Sequence, residues 1–279
     1  MNQTSNNEYS IIRFNLLTTL LSILNKNDED DTSFVIAKYI LNNLKDIENR
    51  SIYKVAEDCY LSRSSVQRFI KEIGYDNYTQ MKQSIAEVIQ HEEALLDYTD
   101  HTDYSNYILD SINSMTDDIA ETAKKNGFKN LLNRFIQAKS VVLLAAEDSS
   151  HACKLLQQQL LATGKLIRIV TSAGTNLALL DSLDRDDLLI VCSISGNFAL
   201  AIDEQLKNIQ ATKCLITLNR TTAFIGHYSI IYYIGEKIKP SSHSIRMFKN
   251  VYTSYGLNFF FDLFYHAYFR SCYVLQPSK

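Results

Sequence analysis

The chain has 279 residues, of which 46% are hydrophobic and 21% charged, and its formal net charge is −3. This length suits two ordinary hydrophobic cores joined by a linker, and the apolar content excludes wholesale disorder. The acidic balance excludes a protein that coats DNA without sequence preference, although it allows a small basic surface.

Cysteine usage and the N-terminal sequence bear on the compartment. The five cysteines are scattered and form no C-x-x-C pair, which argues against a disulfide framework and a thiolate zinc site. The first ten residues carry no basic segment, and polar residues interrupt the apolar stretch that follows. We therefore expect a cytoplasmic protein with no membrane partner, no metal and no cofactor.

The N-terminal third has a helical pattern. From Phe14 to Gln90, apolar residues recur at spacings of three and four, which predicts four or five short helices. A polar stretch from His91 onwards predicts a boundary and then a connecting helix. We place an all-α N-terminal domain at 1–90, a linker and connecting helix at 91–115, and a second domain at 116–279.

A helix-turn-helix motif is predicted between Ser51 and Gly74. Ala56 is small enough to let the two helices approach, and Leu61 buries the turn. Ser62 can cap the second helix, and Gly74 can end it in the left-handed conformation. Tyr60 stands where such turns usually have glycine, which predicts either a relaxed turn or a strained tyrosine.

The outer surface of this motif carries side chains suited to DNA. Between Arg50 and Lys71 there are five basic residues and two acidic ones. Arginine can pair with guanine and glutamine with adenine, and a serine-capped helix N-terminus favours a phosphate. The candidate DNA-binding residues are Ser62, Arg63, Ser64, Ser65, Gln67, Arg68, Lys71 and Lys54. The alternative is a capped helical hairpin that only packs.

From Ser140 the pattern changes to short apolar runs that alternate with helical segments. The predicted strands are Val141–Ala146, Leu166–Val170, Leu188–Cys192, Cys214–Leu218 and Ile230–Ile234, and the predicted intervening helices include Ala152–Thr163 and Leu200–Asn208. This alternation predicts a three-layer α/β/α domain with a five-stranded, mainly parallel sheet. The closing segment, Ile245 to Phe269, is apolar nearly all round and predicts a buried or dimer-facing helix.

Hydroxyl-rich segments follow the first and third predicted strands. Ligands of open parallel sheets bind at the carboxyl ends of strands, so these segments predict an effector pocket. The candidate effector-binding residues are Ser149, Ser150, Ser193, Ser195, Gly196 and Asn197. Ordinary helix capping is the alternative for such a Ser-Gly turn.

The run from Ser51 to Ile85 contains A-x-x-x-x-L-S-x-x-x-V-x-R-F followed by I-G-Y-x-x-Y-x-x-M-K. It resembles the N-terminal domain of the MurR/RpiR family of transcription regulators. The resemblance implies a C-terminal sugar isomerase (SIS) domain, a palindromic double-stranded DNA operator, a homodimer or higher homo-oligomer, and regulation of carbohydrate metabolism by a sugar or sugar-phosphate effector. It also implies that Tyr75, Tyr78 and Lys82 follow the recognition helix within reach of the DNA backbone, with core packing as the favoured alternative for the tyrosines.

The S-x-S-G spacing at Ser193, Ser195 and Gly196 resembles the SIS phosphosugar loop, and Ser149 matches the serine of the first loop. Two glycine positions of that first loop are occupied by Ala145 and Glu147, and a threonine position by Phe198. Carboxylates repel a dianionic phosphate. We therefore expect weak binding, a preference for an uncharged or amino sugar, or a pocket that serves only dimerisation.

Two other functional classes remain open. An aldose-ketose phosphosugar isomerase needs a base, and the candidates Glu147, His151, His227, Glu236 and His243 form no recognisable catalytic constellation. We therefore expect no enzymatic activity. An interaction module could instead use Phe259, Phe260, Phe261 and Phe264, although core packing or self-dimerisation also explains these residues.

Overall fold

The computed structural model describes residues 16–85, 89, 99–100, 102–171, 178–237 and 251–274. The chain divides into two compact units, Met1–Asp100 and His101–Lys279. Within the described ranges, no helix is both long and apolar enough to cross a membrane. The first part of the predicted linker, His243 and the start of the predicted C-terminal helix lie outside them.

The first unit is helical, as the sequence predicts. Its elements are α1 (Leu16–Lys26), α2 (Thr32–Asn42), a 3-10 turn (Ile47–Asn49), α3 (Ile52–Asp58), α4 (Arg63–Glu72) and α5 (residues 78–85). Asp31 caps α2 by accepting hydrogen bonds from the backbone N–H groups of Ser33 and Phe34. Its buried core includes Leu20, Ile36, Ile40, Ile47, Val55, Val66, Phe69, Ile70 and Met81. The inner face of α4 is therefore fixed against the other helices, and its outer face is left to solvent.

The second unit is an α/β domain. Its elements are α6 (Tyr104–Ala123), α7 (Asn126–Gln137), β1 (Val141–Ala145), α8 (Glu147–Leu161), β2 (Arg168–Thr171), α9 (Ala178–Asp181), β3 (Leu188–Cys192), α10 (Asn197–Ala201), α11 (Asp203–Leu206), β4 (Thr212–Thr217), a 3-10 turn (Thr222–Phe224), β5 (Ile230–Tyr233), a π-helical turn (Tyr252–Gly256), α12 (Leu257–Phe269) and a second π-helical turn (Arg270–Val274). The strand order is β2-β1-β3-β4-β5, and every pairing is parallel. The predicted five-stranded sheet is confirmed, and it is wholly rather than mainly parallel.

Both faces of the sheet are covered. All residues of β1 and β3 are buried, which requires packing on each side. From β1 the chain moves across the sheet to β2 at one edge. From β2 it crosses back past β1 to β3, and it then continues in the same direction to β4 and β5. Because parallel crossovers are right-handed, α8 lies on one face and α9 to α11 lie on the other. This arrangement is the predicted three-layer architecture.

Several element boundaries differ from the predictions. Helix α8 begins at Glu147 rather than at Ala152, because acidic residues in a first turn interact favourably with the helix dipole. The segment predicted as one helix from Leu200 forms two short helices that meet at Ile202. Strand β2 begins at Arg168, and the preceding Leu166 is 75% exposed.

The C-terminal helix α12 packs inside its own unit against α6, α7 and α8. The Phe264 ring makes edge contacts with Phe128 and Phe135, with ring centroids 5.8 and 5.0 Å apart. Four phenylalanines were candidates for binding a partner protein. Of these, Phe260, Phe261 and Phe264 are buried and Phe259 is half-buried. Core packing therefore accounts for most of this aromatic segment.

Candidate DNA-binding and effector-binding sites

The turn between α3 and α4 depends on a strained tyrosine. Tyr60 has φ 55°, and it is the one non-glycine residue with positive φ in the described ranges. Its N–H donates to the Glu57 carbonyl at 3.0 Å, and the N–H of Leu61 donates to the Ala56 carbonyl at 2.8 Å. These two bonds form the motif that commonly ends helices at glycine. Of the two sequence alternatives, the structure has the strained tyrosine rather than the relaxed turn.

We expect Tyr60→Gly to stabilise the N-terminal unit by about 1 kcal/mol, because glycine adopts this conformation without the penalty of an L side chain. The ring is 96% exposed, so little packing is lost with it. Denaturant unfolding measures the change. Tyr60→Ala is the matched control, because it removes the ring but keeps a Cβ and hence the strain. Equal stabilisation by both variants would contradict the backbone explanation.

Helix α4 is fixed at both ends. The Ser62 side chain accepts a hydrogen bond from the backbone N–H of Ser65 at 3.1 Å, and its Oγ lies 2.7 Å from Ser64 Oγ. At the other end Gly74 has φ 90°, and the N–H of Tyr75 donates to the Ile70 carbonyl. The predicted N-cap Ser62 and the predicted C-terminal Gly74 therefore fix where the candidate recognition helix begins and ends.

The outer face of α4 presents positive charge. Arg63, Arg68 and Lys71 are exposed, and Gln67 is half-buried. The Arg63 guanidinium lies 5.0 Å from the centroid of the exposed Tyr53 ring, while Arg68 Nε is 3.7 Å from Glu72 Oε1. Arg63 and Lys71 form no ion pair within the described ranges. This face has the donors and the charge that a recognition helix needs.

The basic residues on and before α3 are held differently. Lys54 Nζ lies 2.8 Å from Asp58 Oδ1 and 3.3 Å from Glu57 Oε2, and these hydrogen bonds raise the pKa of Lys54. Arg50 lies 3.2 Å from Asp58 Oδ2 and also donates to the Tyr39 hydroxyl. Two of the five basic residues counted in the sequence are therefore neutralised before α4 begins, and a third, Arg68, is in an ion pair with Glu72. The free positive charge is concentrated on α4.

The residues that follow α4 belong to the core. Tyr75 and Tyr78 are buried, and burial raises the pKa of Tyr78 to about 12. The Tyr78 hydroxyl donates to the Ile47 carbonyl at 3.5 Å, and Lys82 Nζ donates to the Glu48 carbonyl at 2.7 Å. The favoured alternative of core packing therefore holds for both tyrosines.

The strand order places the two hydroxyl-rich segments side by side. Ala145 at the end of β1 is in register with Cys192 at the end of β3, so the chain segments that follow them emerge next to each other. The connections on the two sides of this pair run in opposite directions, which makes it the topological switch point of the sheet. Crevices at such points are where open α/β sheets bind ligands.

Three of the candidate serines are buried and already hydrogen-bonded. Ser193 Oγ accepts from the backbone N–H of Ala199 at 3.2 Å, and Ser150 Oγ donates to the Glu147 carbonyl at 2.8 Å. Ser149 Oγ donates to Asp148 Oδ1 at 3.2 Å. The capping alternative therefore describes much of what these hydroxyls do.

The rest of the Ser-Gly turn packs against a residue that the sequence analysis missed. Gly196 has φ 81°, and a Cβ there would lie 2.6 Å from the Cβ of Asn219. Asn219 also donates from Nδ2 to the Ser195 carbonyl at 2.9 Å. Ser195 is half-buried, and Asn197 is exposed. The position of Asn219 directly after β4, at the same edge of the sheet, is the signal that could have identified it.

A second missed residue is Arg220, an exposed cation at this carboxyl edge. Its guanidinium stacks on Tyr233 at 4.3 Å from the ring centroid, and Nη2 donates to the Gly235 carbonyl at 3.1 Å. The stacking fixes the charge near the ends of β4 and β5.

The departures from the phosphosugar pattern have structural consequences. Glu147 is the first residue of α8, and its Oε2 is buried with no hydrogen-bond partner among the described residues. Phe198 is 1% exposed, so the residue in the threonine position contributes to the core instead of the pocket. Glu147 thus adds an unsatisfied carboxylate oxygen at this edge of the sheet, and Phe198 lacks the hydroxyl that a threonine would supply.

The candidate catalytic bases are not brought together. His227 Nδ1 lies 2.5 Å from Asp203 Oδ1, and Glu236 is paired with Lys125. His151 is exposed on α8. In the described part of the chain no hydrogen bond or ion pair joins any two of the candidate bases, and His243 lies outside it.

A capped helix-turn-helix with a basic outer face, followed by an open parallel α/β domain, defines a class of two-domain DNA-binding proteins. Residues 14–92 match the family model described as "Helix-turn-helix domain, rpiR family". The N-terminal domain of this chain is an rpiR-family helix-turn-helix domain. No curated protein matches the sequence.

The solved structures similar to the chain include the following three. The NanR protein of Vibrio vulnificus complexed with ManNAc-6P is 19% identical, with a TM-score of 0.43 over 92% of this chain and 93% of that one. The sugar isomerase domain of an RpiR transcription factor from Sphaerobacter thermophilus is 13% identical, with a TM-score of 0.43 over 58% and 89%. A protein of E. coli CFT073, solved in complex with a ligand, is 17% identical, with a TM-score of 0.41 over 59% and 92%.

Proposed function

We propose that this protein is a cytoplasmic, sequence-specific transcription regulator of carbohydrate metabolism. The observation that carries the proposal is the outer face of α4, where Arg63, Arg68 and Lys71 are exposed on a helix fixed at both ends. Arg63 and Arg68 contact base edges, Lys71 and the Ser62 cap contact phosphates, and Ser64, Ser65 and Gln67 complete the contact surface. Lys54 contributes less, because two carboxylates already bind its ammonium.

The proposed regulator acts as a homodimer or higher homo-oligomer. Two copies place two recognition helices on half-sites about one turn of DNA apart, or a multiple of it, which gives a roughly palindromic operator. A ligand in the domain proposed for residues 116–279 changes DNA affinity through the segment 91–115. The size of the change is set by the difference in ligand affinity between the two arrangements of the DNA-binding domains.

The proposed effector is a sugar without a phosphate group, with an amino sugar preferred. The buried Glu147 oxygen supports this choice because it accepts a hydrogen bond from an amine or hydroxyl and repels a phosphate. The proposed effector contacts differ in exposure: Asn197 is exposed and Ser195 half-buried, whereas Gly196, Ser149, Ser150 and Ser193 are buried. The hydroxyl missing at Phe198 removes one phosphate ligand.

We expect glucosamine to bind the full-length protein more tightly than glucose 6-phosphate does. Glu147→Gln removes the negative charge at nearly constant volume, so it should improve glucose 6-phosphate binding about tenfold and weaken glucosamine binding. Isothermal titration measures both. Asp148→Asn is the control, because that carboxylate is exposed and screened by solvent and its loss should have a smaller effect. Micromolar binding of hexose 6-phosphates to the wild type would contradict the proposal.

The proposal assigns no catalytic turnover to the α/β domain. It predicts no measurable isomerisation of sugar phosphates, and turnover that Glu147→Gln abolishes would establish the isomerase alternative instead. If no sugar binds and the protein still dimerises, the α/β domain serves only dimerisation.

A further inference from the structure

A cavity of about 350 Å³ opens at the edge of the sheet opposite to the candidate effector site. Its lining comes from the last turn of α7, the segment that leads into β1, and the amino ends of β3 and β4. This volume lies at the small end of the range for metabolite sites, so it suits a ligand of amino-acid or monosaccharide size. None of the residues proposed above for DNA or effector binding lines it.

One wall of the cavity holds an unsatisfied carboxylate. Asp187 is 7% exposed, and its Oδ2 accepts a hydrogen bond from the backbone N–H of Asp184 at 2.9 Å. Its Oδ1 is buried and has no hydrogen-bond partner in the described ranges. A buried acceptor without a donor costs about 1–3 kcal/mol, and more when it is charged, so this oxygen is suited to a donor that a ligand supplies.

The same cavity is lined by three cations and by a second carboxylate, the exposed Asp186. Arg134 and Arg185 both line the cavity, are exposed, and form no ion pair within the part of the chain that the structure describes. The third lining cation, Lys139, is already 3.3 Å from Asp184 Oδ2. A guanidinium presents a planar set of donors that matches a carboxylate in two-point geometry.

The end of α7 adds to the same pattern. Arg134 lies in its last turn, where the negative end of the helix dipole helps to hold the guanidinium at the cavity. A cation is favoured near Asp187, while an anion is favoured at the two guanidinium groups. The two preferences lie within one cavity of metabolite size.

We propose that this cavity is a second small-molecule site, which binds a zwitterionic metabolite of the amino-acid class through its ammonium group at Asp187 and its carboxylate at Arg134 and Arg185. Because the site lies at the opposite edge of the sheet, it is separate from the sugar crevice. The protein thereby receives a second metabolite signal.

The test uses the full-length protein and free amino acids, each titrated singly at neutral pH. Two comparison probes are the amine and the carboxylic acid that correspond to the tightest amino acid and lack one of its two charges. We expect at least one amino acid to bind saturably, and both single-charge probes to bind about tenfold more weakly or worse. No saturable binding of any amino acid, or equal binding of a single-charge probe, would overturn the proposal.

Matched variants locate the binding. Asp187→Asn can still accept the Asp184 N–H through its amide oxygen, so the fold is kept, while the charge facing the ligand is lost. Arg185→Gln removes one of the two guanidinium groups that donate hydrogen bonds to the ligand carboxylate. The controls are Asp181→Asn and Arg168→Gln, which make the same charge changes at exposed residues outside the cavity. We expect about tenfold weaker binding in each site variant and unchanged binding in each control. Undiminished binding to Asp187→Asn refutes this site and leaves the sugar-binding proposal unaffected.

Discussion

Replacing Asp118 by alanine is expected to destabilise the C-terminal unit by about 4 kcal/mol, because one buried hydroxyl and two partly buried backbone N–H groups lose a charged acceptor at once. Asp118 is 2% exposed and lies on α6. Its carboxylate accepts from the backbone N–H of Glu236 at 2.9 Å and of Lys237 at 3.1 Å, and from the Tyr252 hydroxyl at 2.6 Å. One side chain thus ties α6 to the segment after β5 and to the turn before α12.

The surroundings of this carboxylate leave no room for adjustment. A Cβ at Gly235 would lie 2.5 Å from Asp118 Oδ2 and 2.7 Å from the Tyr252 hydroxyl oxygen. Burial and the nearby carboxylate also raise the pKa of Tyr252, so its hydroxyl stays a donor.

Urea unfolding of Asp118→Ala measures the loss, with Asp117→Ala as the control. Asp117 is the exposed neighbour on the same helix, and its replacement should change stability by less than about 0.5 kcal/mol. A loss below about 1 kcal/mol in Asp118→Ala would show that these hydrogen bonds do not hold the unit together.

The double variant Arg63→Ala/Arg68→Ala is expected to lose about 100-fold or more in affinity for the operator, because each specific arginine-base contact contributes about 1–3 kcal/mol. Both side chains are exposed, and the core of the N-terminal unit does not include them. Stability should therefore stay nearly constant while binding is lost. Titration of labelled operator DNA at one fixed salt concentration measures the change.

Lys54→Ala is the control for charge alone. It also removes one positive charge near α4, but from an ammonium that Glu57 and Asp58 already bind. We expect its loss in affinity to be several-fold at most. If Lys54→Ala weakens binding as much as the double variant does, general charge and not base recognition would explain the affinity.

The sheet could be predicted because its strands are buried on both faces. Such strands appear in a sequence as short, unbroken apolar runs, and β3 was predicted residue for residue as Leu188–Cys192. Edge strands carry a weaker signal, which is why β2 begins later than its apolar run. The helix-turn-helix was also predictable, since its caps, its turn and its inner face lie close together in the sequence.

The partners of polar side chains could not be predicted in the same way. Composition counted Arg50 and Lys54 as free charge, whereas Asp58 binds both. The Ser193 hydroxyl was a candidate ligand contact, and it caps a helix through Ala199 N–H. Such pairings depend on three-dimensional geometry and not on residue type. The contact of Asn219 with Gly196 joins the loops that follow β4 and β3, so only the position of Asn219 after a predicted strand could have indicated it.

The most direct test of sequence-specific regulation is selection of bound fragments from the source genome by the purified full-length protein, with and without glucosamine. Arg63→Ala/Arg68→Ala is carried in parallel at the same salt concentration. The proposed function predicts an enriched, roughly palindromic sequence for the wild type alone, located beside genes of carbohydrate metabolism. No enrichment under either condition, or equal enrichment by the double variant, would contradict it.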